Sequence, residues 1–62
     1  MRSKDNVELE LAAIKKTART SIRLRHSLAA DREINERLPE IEANYYSAIQ
    51  RGKKFKLEAF EL

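Results

Sequence analysis

Ser21, Ser27 and His26 are the nearest this chain comes to a nucleophile and its base. A serine needs a base, and the base needs an acid that orients it. Between Leu11 and Ala30 there is no acidic residue at all, so nothing accompanies them in that role. Gly52 is the only glycine, which leaves no Gly-rich phosphate loop. The chain has no Cys and a single His, which removes disulfides, thiolate zinc sites and His clusters. The expectation is a protein with no cofactor, no metal, no small-molecule substrate and no enzymatic activity. Catalysis would require a site shared between subunits.

The charged residues offer a second kind of chemistry. Lys15, Lys16, Arg19, Arg23, Arg25 and His26 all fall in the acid-free window. At 100° per residue, Lys15, Lys16, Arg19, Arg23 and His26 form one stripe. Lys15, Lys16, Arg19 and Arg23 are thus candidates for following nucleic-acid phosphates. The alternative is that the stripe faces acidic groups. Glu33, Glu36, Glu40 and Glu42 lie further along, with Arg37 as the only base within residues 33–50, and such complementary flanks set pairing in helical assemblies. The formal net charge of +3 is modest and no aromatic residue interleaves with the stripe, so pairing ranks ahead of DNA binding.

A third set consists of the aromatic and apolar residues near the C-terminus. Tyr46, Phe55, Leu57 and Phe60 are candidate partner-binding anchors, because exposed aromatic side chains are enriched at interfaces. Tyr46 is equally readable as an ordinary surface residue. The two Phe residues have a plainer reading, in which they fold back and cap the core, and it ranks slightly ahead of a docking tail.

These residues need elements to carry them. Val7, Leu11, Ile14, Ala18, Ile22 and Ala29 lie within about 40° of one direction on a helical wheel. Asp5 with Glu8 has the spacing of a capping box. A helix is predicted from about residue 5 to 29, after a frayed stretch at 1–4. Arg25 points into the middle of its apolar stripe, either extending its head into water or pairing with a Glu. Ile34, Leu38, Ile41, Tyr45, Ala48 and Ile49 make a second stripe, rotated by roughly 170° from the first on a continuous helix. One straight rod would present the two stripes to opposite sides. A turn near 29–32 lets them meet, with Asp31 as N-cap of a second helix over about 31–51.

Pro39 lies inside that second helix and implies a kink there, or else the start of a shorter helix. Arg51 and Gly52 form a C-terminal stop. In the tail at 53–62, Phe55, Leu57 and Ala59 alternate with charge as in a strand, while a short helix would group Phe55, Ala59 and Leu62.

The fold class predicted is all-α: a single domain over 1–62, built as a two-helix antiparallel hairpin with a short C-terminal tail. A 62-residue chain buries little surface, so assembly into a helical-bundle homo-oligomer is expected. The longest apolar run, Leu11-Ala12-Ala13-Ile14, is far below a membrane span, and no signal peptide is visible. The expectation is a cytoplasmic protein with no membrane partner.

The string Lys4-Asp5-Asn6-Val7-Glu8-Leu9-Glu10-Leu11-Ala12-Ala13-Ile14-Lys15-Lys16, with its basic continuation to Arg25, resembles the short proteins encoded in the exo–xis region of lambdoid bacteriophages. The similarity runs over most of the chain. It implies an early phage protein in the bacterial host cytoplasm that tilts the choice between lytic growth and lysogeny or disturbs the host cell cycle. It implies binding to a host or phage protein and no catalytic residues.

Overall fold

A computed structural model describes residues 4–62. Helix α1 spans Lys4–Arg25 and helix α2 spans Ala30–Gln50, and the two pack side by side as a hairpin. A single 3₁₀ turn, Leu57–Phe60, follows in the tail. Among the described residues there is no strand, and no helix is long and apolar enough to cross a membrane.

The two stripes meet as their phases require. Leu11, Ala18 and Ile22 of α1 are buried against Ile34, Ile41 and Tyr45 of α2. Val7, Ile14, Leu38, Ala48 and Ile49 are half-buried at the margins of that seam. Ile41, Tyr45 and Ile22 are the largest side chains fully withdrawn from water. Burying such a side chain contributes about 1.5–3 kcal/mol. The seam is one layer thick, so these few residues carry most of the stability.

The helix ends differ from those predicted. Helix α1 stops at Arg25, not near 29. The chain turns through His26–Ala29, where the His26 amide donates to the Ile22 carbonyl at 2.7 Å and the Ala29 amide to the His26 carbonyl at 3.0 Å. Leu28 and Ala29 are therefore in the turn and exposed. The turn must come this early because Ile22 and Ile34 both enter the core. Asp31 is not the N-cap: Ala29 precedes α2 without a side-chain cap bond, and Asp31 lies in the first turn beside Glu33. Their carboxylates there favour the positive end of the helix dipole. Asp5 is likewise inside the first turn of α1 and is not its cap. Of the stretch expected to fray, Lys4 is helical and 1–3 lie outside the described residues.

Pro39 is inside α2, which runs through it without interruption. The shorter helix starting at Pro39 is thereby excluded. The proline is exposed on the outward side, so its ring meets water and not the core. The C-terminal stop is as expected. Gly52 has φ of +66°, its amide donates to the Ile49 carbonyl at 3.1 Å, and the Lys53 amide donates to the Ala48 carbonyl at 2.8 Å. This pair of bonds is the Schellman closure, which satisfies carbonyls that a helix end leaves open.

Candidate interaction surface

Beyond Gly52 the chain reverses and lies back along the hairpin. The Phe55 ring meets Tyr45 edge-on with centroids 5.7 Å apart, and Phe60 sits 5.8 Å from Phe55. Tyr46 meets Tyr45 from its other side at 5.7 Å. All four aromatic residues of the chain thus form one continuous series of ring contacts. Such edge-to-face pairs add about 0.5–1.5 kcal/mol beyond area burial.

This arrangement corrects the exposed-anchor expectation in part. Tyr46 is exposed, at 42% of its full surface. Phe55, Leu57 and Phe60 are half-buried, because the tail folds back on the core. The strand alternative fails, and so does the grouping of Phe55 with Ala59, which is exposed.

Arg25 fastens the far end of the tail. Its Nη1 donates to the main-chain carbonyl of Glu61 at 2.9 Å, so its partner is a backbone oxygen and not a Glu carboxylate. Glu61 itself adopts the left-handed conformation, with φ of 51°. That conformation costs a non-glycine residue roughly 1–2 kcal/mol, and the guanidinium bond helps hold it.

Between the tail and the open end of the hairpin lies a groove of about 920 Å³. Its apolar wall is formed by Val7, Ile14, Ile49, Phe55 and Leu57, and its charged margin by Glu10, Lys53, Lys54 and Glu58. At its base the buried Tyr45 donates its hydroxyl to Glu10 Oε1 at 2.7 Å. Sequence reasoning missed this bond. The signal was available: a Tyr in a core stripe needs a partner for its hydroxyl, and an antiparallel hairpin that pairs Leu11 with Tyr45 brings Glu10 alongside.

The basic stripe is divided. Lys15 donates to Glu42 Oε1 across the helices at 3.2 Å. Within α2, Arg32 pairs with Glu36, and Arg37 with both Glu33 and Glu40. The acidic residues are therefore met chiefly by arginines of their own helix, and the predicted pairing between helices is limited to Lys15–Glu42. Lys16, Arg19, Arg23 and His26 have no ion-pair partner among the described residues, with Arg19 half-buried and the others exposed. Ser21 is half-buried in α1 while His26 and Ser27 stand in the exposed turn.

The arrangement offers an apolar groove with a charged margin, an exposed tyrosine and a group of cations with no ion-pair partner among the described residues. Compared with family models, with curated proteins and with solved structures, the chain gives no match.

Proposed function

We propose that this chain is a non-enzymatic interaction protein that binds another protein by taking an apolar segment of it into the groove beside the tail. The groove carries this reading. Pockets that accept ligands combine an apolar lining with a few polar groups at the margin, and helix-in-groove docking uses the same physics. Val7, Ile14, Ile49, Phe55 and Leu57 supply the lining, and Glu10, Lys53, Lys54 and Glu58 the margin. The resemblance to the exo–xis proteins of lambdoid phages supports a host or phage protein as partner and a role in lytic or lysogenic development.

The test begins with capture from a bacterial host lysate and continues with calorimetric titration of the purified partner. Leu57→Glu places a charge on the groove wall and is expected to weaken binding at least tenfold, with helicity retained. Leu28→Ser in the distant turn is expected to bind like the parent. Equal binding by Leu57→Glu would remove the groove from the account.

A second reading, DNA binding, is favoured by one observation: Lys16, Arg19 and Arg23 are unpaired among the described residues. If these three meet phosphates, the logarithm of the binding constant falls with the logarithm of salt concentration at a slope of about −3. No anisotropy change with duplex DNA at about 50 mM salt would dismiss it.

A further inference from the structure

We infer that a second copy of this chain docks antiparallel along the outward face of α1, a surface separate from the groove. The inward face of α1 is consumed by the hairpin core. On the opposite side of the wheel, within about 45° of one direction, lie Leu9, Ala13, Thr20 and Leu24. Leu9 is 70% exposed and Leu24 is 82% exposed. The corresponding outward side of α2 carries Arg32, Glu36, Pro39 and Ala43 and no large aliphatic residue. The two helices therefore differ: α1 alone shows water a second aliphatic stripe.

Charge along α1 selects the occupant and its direction. The first half of the helix holds Asp5, Glu8 and Glu10 against the single base Lys4, and the second half holds Lys15, Lys16, Arg19, Arg23 and Arg25 with no acid. Glu10, Lys15 and Arg25 are engaged within the chain, as described above. Asp5, Glu8, Arg19 and Arg23 have no ion-pair partner among the described residues. A parallel copy would set like charges against like. An antiparallel copy sets each acidic half beside a basic half, and a two-fold axis produces the match twice. The same operation, with its axis between Lys16 and Thr17, brings Leu9 of one chain level with Leu24 of the other. Those two leucines stand roughly 22 Å apart along one helix, so the contact has an anchor at each end. Ala13, Thr17 and Thr20 between them are small enough for close approach. Lys16 lies at the side of the stripe, where its aliphatic stem covers the face and its ammonium reaches water.

The chain contains no Cys, which makes cross-linking a clean test. Leu9→Cys and Leu24→Cys are made separately, mixed, and oxidised in a glutathione buffer. The mixture is expected to give mainly a disulfide between position 9 of one chain and position 24 of the other, identified by peptide mass spectrometry. Each variant alone is expected to give several-fold less covalent dimer. Cross-linking of each variant with itself as readily as in the mixture would overturn the antiparallel register. Absence of product in every case, with a sedimenting mass of 7.2 kDa for the unmodified chain at high concentration, would overturn the second copy as occupant. Leu24→Glu, at a position already open to water, is expected to shift the unmodified dimer to monomer. These outcomes leave binding at the groove to be judged by its own titration.

Discussion

Tyr45 joins the two kinds of stabilisation available to so small a chain. Its ring is fully buried in the seam, and its hydroxyl donates to the Glu10 carboxylate at 2.7 Å. Tyr45→Phe keeps the ring and removes the donor. Because Glu10 is exposed and can turn to water, the loss is expected near 1 kcal/mol, read from a chemical melt. Ile41 presents the opposite case, with no polar handle and no exposure. Ile41→Ala should cost about 2–5 kcal/mol. A chain of this length holds roughly 3–9 kcal/mol in total, so that variant is expected to lose most of its helical circular dichroism at 37 °C. Retention of a parent-like melt would show that the seam relaxes around the cavity.

At the scale of elements, the pattern of apolar residues was more informative than the signals for helix ends. The reversal of phase between Ile22 and Ile34 required a turn, and the turn exists. Its position is not legible in the sequence because His26-Ser27-Leu28-Ala29 contains neither Gly nor Pro, and Leu28-Ala29-Ala30 reads as good helix former. Tertiary packing ends α1 there, and local propensity does not reveal it. Asp31 has the chemistry of a cap, but the helix begins one residue earlier, at Ala30. Gly52 was legible because only a left-handed residue closes a helix in this way, and its φ of +66° agrees. A Cβ at Gly52 would meet nothing within 4 Å, so Gly52→Ala should be destabilising by only the conformational cost, about 1 kcal/mol. Pro39 works in the other direction. Its missing amide leaves the Asn35 carbonyl without its helical donor, and its exposed ring adds nothing to the core. Pro39→Ala is expected to raise stability by about 1–3 kcal/mol, seen as a higher denaturant midpoint with unchanged slope.

For the whole molecule, the sequence made the hairpin readable and left the path of the tail open. An alternation of apolar and charged residues over 55–59 fits a strand, a short helix or a docking arm, since the pattern does not say which surface receives it. The deciding contacts are long-range. Phe55 reaches Tyr45 on α2, and Glu61 reaches Arg25 on α1. The candidate site shared this limit. Of its wall only Phe55 and Leu57 read as anchors, Val7, Ile14 and Ile49 read as core stripe, and the groove among the five exists only once the tail has returned. Arg25→Ala should release the end of that return. Faster amide hydrogen exchange confined to 59–62, with exchange in the core unchanged, is the expected result. Uniform acceleration through α1 and α2 would mean that the tail governs global stability.

The fold-back of the tail also bears on the order of events in time. Two neighbouring helices joined by a short turn close a small loop and assemble quickly, whereas the contact between Arg25 and Glu61 spans most of the polypeptide. A strap of this sort is expected to dock after the barrier has been crossed and to act as a latch. Weakening it by Phe55→Leu should leave the refolding arm of a chevron plot where it is and lift the unfolding arm, so that the molecule's lifetime, and not its speed of formation, is set by its last ten residues.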